Sequence, residues 1–334
     1  MKVLIVNGSE VRELLTMPEC IDVMSDALAA LARGDAILPL RPILWLPESA
    51  GALGMMPAYL GNIQSVGLKV VTVFPGNHGT KYDSHQGAVL LFETGYGQLL
   101  SIMDASSITA IRTAAVSGLA TRLLARENAD TLAILGSGVQ ARTHLEAMLA
   151  VRQVKHVRVW SRNADHVSKF VEREAKRVSI EVIASRSAED AVRDVDIICT
   201  TTSSSEPVLQ GEWIASGAHI NAVGSSVAFA RELDTRAVAN ARLYVDRRES
   251  TLSESGDFVI AKKEGAIDDS HIVGEIGDVI LGKVKGRQSP DEITLFKSLG
   301  LAVEDLAAAD HIYKKAAAAN AGTLIELGGE RDED

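Results

Sequence analysis

Apolar residues recur at helical spacing between Pro18 and Arg33, where Ile21, Met24, Ala27, Leu28 and Leu31 share one face. This pattern predicts a helix after a short strand at Val3–Val6. From Ile37 to Met103 the pattern shortens to β-like runs, Ile43–Leu46, Gly67–Val73, Ala88–Phe92 and Gln98–Ile102, broken by Gly, Pro and Asn clusters. Such runs predict an antiparallel sheet. An alanine-rich stretch, Ser107–Ala125, then predicts a long helix that carries Arg112 and Thr113 and connects two domains. After it strands alternate with helices: Thr131–Leu135, His156–Trp160, Ile180–Ile183, Asp196–Thr200 and His219–Val223 are the strand-like runs. That alternation predicts a parallel sheet with right-handed crossovers. The last stretch, Leu301–Leu327, reads as helical and is expected to fold back on the first domain, ahead of a solvated ERDED tail.

At 334 residues the chain exceeds the size at which one hydrophobic core stops growing, so two domains are expected. The fold class is α/β, a Rossmann-type parallel sheet domain joined to an α+β domain. A net charge of −10 argues against a nucleic-acid partner or an anionic membrane, either of which needs clustered Lys and Arg. The two cysteines, Cys20 and Cys199, sit in apolar settings, which suits a reducing, cytoplasmic compartment and no disulfide framework. At the amino terminus Glu10, Arg12 and Glu13 interrupt the apolar residues before a signal-peptide core develops, and no apolar run reaches membrane-spanning length.

The strand-like TLAIL runs directly into Gly136-Ser137-Gly138-Val139-Gln140-Ala141, which opens a helix. This is the setting that a dinucleotide fingerprint requires. Gly136 permits the tight turn, Gly138 lets backbone N–H groups approach a pyrophosphate, and Ala141 allows close packing of helix on strand. A plain glycine-rich turn is the bland alternative, and the flanking βαβ pattern disfavours it. At the end of the next strand, where an NAD enzyme places an acid for the ribose hydroxyls, the chain reads Trp160-Ser161-Arg162-Asn163. A hydroxyl and a guanidinium there suit a 2′-phosphate, so NADP(H) is preferred, with NAD(H) as the alternative and a solvated Arg162 as the uninformative one.

Three cations have apolar or small neighbours: Arg41 in LPLRPILW, Lys69 in VGLKVVTVFP and Arg112 in ITAIRTAAV. Charges in such settings need partners. A small carboxylate substrate would supply one, and structural ion pairing would supply another. His78 and His85 lie in a polar, loop-rich segment without a third ligand at metal spacing, so no metal is expected.

These residues resemble the ornithine cyclodeaminase and mu-crystallin family over nearly the whole chain. The landmarks are MMP at Met55–Pro57, GLKVV and FPGN around Lys69, GAVLLFE, ITAIRTAA, GSGVQA, GEW followed by GAHINAVGSS, RELD, YVD, ESGD and FKSLGLAVED. The resemblance implies a homodimer with a substrate-binding and dimerisation domain at 1–118, completed by 305–334, and a Rossmann domain at 119–304. It implies that Arg41, Lys69 and Arg112 hold the substrate carboxylate. By the same token Thr113 reaches the cofactor phosphate, Thr202 and Ser203 line the nucleotide cleft, Val223 and Gly224 approach the nicotinamide, and Phe296 and Ser298 close that end.

Two departures bear on the reaction. Cyclodeaminases of the family carry an aspartate after the NAVG-like strand and a glutamate before the MP pair; this chain reads GSSVAFARELD and GALGMMP there. Lacking that general base, it resembles the ketimine reductase branch, with Ser226 in the aspartate's place. The expected activity is NAD(P)H-dependent reduction of a small cyclic imino acid, 1-pyrroline-2-carboxylate or 1-piperideine-2-carboxylate, with Lys69, Arg112 and Ser226 as catalytic residues. The alternatives are an ornithine cyclodeaminase, an alanine dehydrogenase-like enzyme acting on a keto acid, and a mu-crystallin-like binding protein.

Overall fold

The computed structural model describes residues 2–77 and 80–329, so His78 and the tail from Glu330 lie outside the described residues. The chain divides into two compact units, Met1–Arg112 with Leu301–Asp334, and Thr113–Gly300. The first division falls inside one helix.

The amino-terminal part contains β1 (Lys2–Val6), α1 (Gly8–Leu14), α2 (Met17–Arg33), β2 (Ala36–Ile37), β3 (Ile43–Trp45), β4 (Ala52–Leu60), β5 (Ser65–Val73), β6 (His85–Glu93), β7 (Leu99–Asp104) and α3 (Ala105–Leu124). Local chemistry explains the helix ends. Asn7 accepts from Ser9 N–H and Glu10 N–H while Glu10 reaches back to the Asn7 N–H, a reciprocal cap for α1. Pro18 lies in the first turn of α2, and Gly34 ends that helix in the left-handed region at φ 85°.

β4 was not anticipated, because Gly51 precedes it and Gly54 and Pro57 punctuate it. It pairs with β5 along its whole length, Ala52 opposite Val73 to Leu60 opposite Ser65. On its other side β3 covers Ala52–Gly54 and β2 covers Tyr59 and Leu60. Pro57 thus falls where that second ladder is interrupted, a place where a missing N–H is tolerated. The sheet order is β16-β1-β7-β6-β5-β4-β2, with β3 also on β4. It is mixed rather than purely antiparallel, since β1 runs parallel to β7.

The second unit holds β8 (Thr131–Leu135), α4 (Val139–Val151), β9 (His156–Trp160), α5 (Ala164–Glu174), β10 (Glu181–Ala184), α6 (Ala188–Val192), β11 (Ile197–Thr200), β12 (His219–Ala222), α7 (Thr235–Ala239), β13 (Arg242–Val245), α8 (Arg248–Glu254), α9 (Gly256–Lys263), β14 (Ile272–Glu275), α10 (Ile276–Ile280) and β15 (Thr294–Lys297). All eight strands are parallel, in the order β10-β9-β8-β11-β12-β15-β13-β14. Chain direction across the sheet therefore reverses between β8 and β11, the switch point at which open α/β sheets bind ligands. Leu132 to Leu135 are buried without alternation, as in a strand covered on both faces.

The chain returns to the first unit with α11 (Ala302–Ala319) and β16 (Thr323–Glu326). The expected single helix over this stretch is corrected here. Asn320 and Gly322 adopt positive φ and stop the helix, and the following Thr-Leu-Ile-Glu pairs antiparallel with β1, Lys2 opposite Glu326. α11 packs on α2, β4 and β5. On β5 the buried face carries Ser65, Gly67 and Lys69, two residues apart. Gly67 has to lack a side chain, since a Cβ there would lie 2.6 Å from Leu306 Cδ1 of α11.

Candidate functional site

The parallel sheet presents one level edge. Leu135 is in register with Trp160 and Thr200, Thr200 with Ala222, and Ala222 with Lys297, so the carboxyl ends of β8, β9, β11, β12 and β15 line up. Gly136–Gly138, Ser161–Asn163, Thr202, Ser203, Val223, Gly224 and Ser298 all follow those ends directly.

Gly136 takes φ +133°, and a Cβ on it would come within 2.5 Å of Thr201 Oγ1. Gly138 is the opposite case, because a Cβ there would meet nothing within 4 Å. The second glycine is thus dispensable to the packing of this chain and leaves open the approach to α4. That helix starts without a side-chain cap. Its first-turn N–H groups and dipole are available to an anion, and Val139 and Gln140 supply two of them. Two further polar atoms, Gln140 Oε1 and Ser298 Oγ, are buried without a hydrogen-bond partner. Orphaned polar groups of this kind cost about 1–3 kcal/mol unless a guest satisfies them. The cradle therefore fits a dinucleotide, whose pyrophosphate Gly138 and the start of α4 would hold.

The neighbouring strand end is polar and basic. Ser161 Oγ lies 3.0 Å from Ser137 Oγ, Arg162 is exposed, and Asn163 caps α5 by accepting from Asp165 N–H at 3.0 Å and His166 N–H at 3.2 Å. On α4 the buried His144 donates from Nδ1 to the Gln140 carbonyl at 2.8 Å and accepts from Ser117 Oγ at 2.9 Å. Burial lowers its pKa to about 4, so it stays neutral and pins the helix.

Several residues proposed for the nucleotide site have other surroundings. Phe296 is wholly buried within β15, opposite Asn221 and Tyr244. Thr113 is buried on α3. Thr202 Oγ1 is committed to Glu232 Oε1 at 2.7 Å, while Ser203 is exposed and Val223 and Gly224 are half-buried. Ser226 is exposed in the loop after β12, whereas its neighbour Ser225 is buried and donates to the Ala230 carbonyl. His85 Nδ1 lies 3.0 Å from Ser84 Oγ, and among the described residues no group of three or more His, Cys, Asp or Glu could hold a metal ion.

The first unit holds a second chemical centre. Lys69 of β5 and Arg112 of α3 come together around two acids at the start of α11. Lys69 Nζ is 2.7 Å from Asp305 Oδ2, Arg112 Nε is 2.9 Å from Asp305 Oδ1, and Arg112 Nη1 is 2.7 Å from Glu304 Oε2. Lys69 also donates to Thr109 Oγ1 at 3.3 Å. All four charged side chains are buried. Burial is the largest influence on Lys69 and lowers its pKa to about 8; Arg112 pushes the same way, and Asp305 and Glu304 oppose it. Arg41 is half-buried in the segment between β2 and β3. Sequence reasoning missed Glu304 and Asp305, since two acids in the first turn of an alanine-rich helix read as dipole partners for that helix. The available signal was the FKSLGLAVED landmark that contains them.

A family model described as the ornithine cyclodeaminase/mu-crystallin family matches residues 1–320. A relative named ketimine reductase mu-crystallin, from Mus musculus, is 42% identical over 88% of this chain and 90% of its own length. The solved structure of Thermococcus litoralis Delta(1)-pyrroline-2-carboxylate reductase with NADH and L-proline superimposes with a TM-score of 0.94 at 40% identity, covering 96% of this chain and 99% of that one. An archaeal alanine dehydrogenase dimer with bound NAD gives a TM-score of 0.92 at 34% identity, covering 98% of this chain and 100% of that one. With a whole-chain match, a shared fold and the glycine cradle in place, this chain belongs to the ornithine cyclodeaminase/mu-crystallin family.

Proposed function

We propose that this chain is an NAD(P)H-dependent reductase of small cyclic imino acids of the 1-pyrroline-2-carboxylate and 1-piperideine-2-carboxylate type. The buried Lys69–Asp305–Arg112–Glu304 quartet is the observation that carries the proposal, because it fixes a guanidinium rigidly beside a lysine able to exchange a proton near neutral pH. A bound reduced nicotinamide supplies a hydride to the C=N carbon. Arg112 and Lys69, with Arg41, hold the substrate carboxylate; Glu304 and Asp305 keep the two buried head groups in one orientation. Lys69 keeps the imine nitrogen protonated, which makes the carbon the better electrophile. Ser226, exposed beyond β12, contributes a hydroxyl where a cyclodeaminase would carry a base.

Steady-state assays with each cyclic imine test this, and pyruvate with ammonia tests the alanine dehydrogenase-like alternative that one structural relative suggests. Turnover of neither class above background would remove the reductase assignment. Arg162, Ser161 and the missing acid after β9 support NADP(H) as the preferred cofactor, so NADPH is expected to give the higher kcat/KM. The pH dependence has a definite sign. Lys69 is protonated below about 8 and neutral above, so kcat/KM is expected to fall as pH rises through that value. In Lys69→Arg the residual rate should lose this limb, because a guanidinium stays charged. An unchanged limb in that variant would assign the titration to the substrate instead.

We also propose a cytoplasmic homodimer. Ile37, Leu40, Ile43, Leu44 and Trp45 are exposed in and between β2 and β3, with Leu44 at 56% and Trp45 at 58%, a concentration of apolar residues in one segment that suits a second copy. Sedimentation should give twice the 35.6 kDa of one chain, and a monomer at assay concentration would end this assignment. Both cysteines are buried and free, in keeping with a reducing compartment. No helix among the described residues is long and apolar enough to cross a membrane.

A further inference from the structure

At the carboxyl ends of β11 and β12, one wholly buried carboxylate gathers the loops that follow them. Glu232 Oε1 accepts from Thr202 N–H at 2.6 Å and Thr202 Oγ1 at 2.7 Å. Glu232 Oε2 accepts from Gly224 N–H at 2.6 Å and Thr200 Oγ1 at 2.7 Å. The backbone of Glu232 is held in turn: Asp257 Oδ1 accepts from the N–H of Glu232 at 2.8 Å and of Leu233 at 2.9 Å. Behind it, Lys297 Nζ of β15 is 3.0 Å from Asp257 Oδ2, both groups being buried. Gly224 is fitted to the same arrangement, since a Cβ there would lie 2.0 Å from the Thr202 carbonyl and 2.5 Å from Glu232 Oε1.

The place of this carboxylate in the sheet gives it a function. Ser161–Asn163 after β9 mark the adenosine side and Gly136–Gly138 after β8 the pyrophosphate, which leaves the other half of a dinucleotide to the ends of β11 and β12 across the reversal. We propose that Glu232, braced by Asp257 and Lys297, is a positioning residue that sets the backbone of Thr202 and Gly224 to receive the nicotinamide half of the cofactor. This rests on the dinucleotide reading given above. The device works because each oxygen of Glu232 accepts a backbone N–H that cannot rotate away. An isosteric amide would turn its own N–H against one of them and force the two loops apart.

The test is calorimetric titration of Glu232→Gln with NADH and with ADP-ribose, which lacks the nicotinamide. NADH affinity is expected to fall about tenfold or more while ADP-ribose affinity stays within about twofold of wild type. Equal losses for both ligands, or no loss for either, would overturn the proposal by leaving Glu232 a purely structural or a neutral role. If Glu232→Gln does not fold, Thr200→Val removes a single donor from the carboxylate. It should weaken NADH by roughly threefold with ADP-ribose unchanged, and the absence of that split overturns the proposal equally. If the wild-type chain binds only the 2′-phosphorylated pair, NADPH and 2′-phospho-ADP-ribose, the same split is read with those two, and failure to bind any of the four would instead remove the dinucleotide reading, and the proposal with it.

Discussion

Arg112→Met is expected to lower kcat/KM for cyclic imino acids by roughly a hundredfold or more, about 2.7 kcal/mol of transition-state stabilisation, and to destabilise the fold at the same time. From sequence alone, the same substitution would leave the fold intact. The structure changes that expectation. Arg112 is the guanidinium partner of Glu304 Oε2 and Asp305 Oδ1, all of them buried. Removing one partner of a buried ion pair leaves an uncompensated charge and costs about 3–5 kcal/mol, because the carboxylates lose their counter-charge without regaining water. For a chain of 334 residues that corresponds to a fall in Tm of roughly 4–7 °C. The double variant Arg112→Met/Glu304→Gln separates the two effects. Neutralising Glu304 while the Lys69–Asp305 pair remains should restore much of the Tm, with no recovery of turnover. Wild-type kinetics in either variant would take Arg112 out of the substrate site.

The second large effect is expected at Gly138. Gly138→Ala should leave the melting temperature of the cofactor-free chain unchanged, because a Cβ meets no protein atom within 4 Å and the backbone there is extended, at φ −88° and ψ −163°. Affinity for NAD(P)H should nevertheless fall by about tenfold or more, since the methyl group would stand where a pyrophosphate approaches the first N–H groups of α4. Gly136→Ala is the contrasting control. It clashes with Thr201 and demands φ +133°, so it should destabilise the chain before any ligand is added. Unaltered cofactor binding by Gly138→Ala would move the pyrophosphate away from this turn.

The two substitutions differ in how far their consequences could be foreseen. Gly138 was legible because a fingerprint is local: TLAIL, the glycines and the opening helix occupy one short stretch, and each position answers to its chain neighbours. Lys69 was legible as an anomaly, a cation among valines and a leucine, and burial indeed lowers its pKa. What it pairs with was not. The surroundings of Phe296 were hidden for a related reason: the resemblance marks a position along the strand, but the burial of a β15 side chain depends on β12 and β13 beside it. β16 was absorbed into a predicted helix because its partner, β1, is at the other end of the chain.

Short-range pattern by itself determined the α/β class, the parallel-sheet region, the glycine turn and the cations that need partners, since these depend on periodicity and on a residue's immediate neighbours. Tertiary structure alone decided which groups meet. Arg112 and Asp305 are 193 positions apart, and Glu232 is 30 from the Thr202 N–H it receives, so no local spacing encodes either contact. They form because α11 closes on β5 over Gly67 and because parallel strands bring their carboxyl ends level. Burial then turns ordinary acids and bases into fixed, strongly coupled groups, an effect that appears only once water has been excluded.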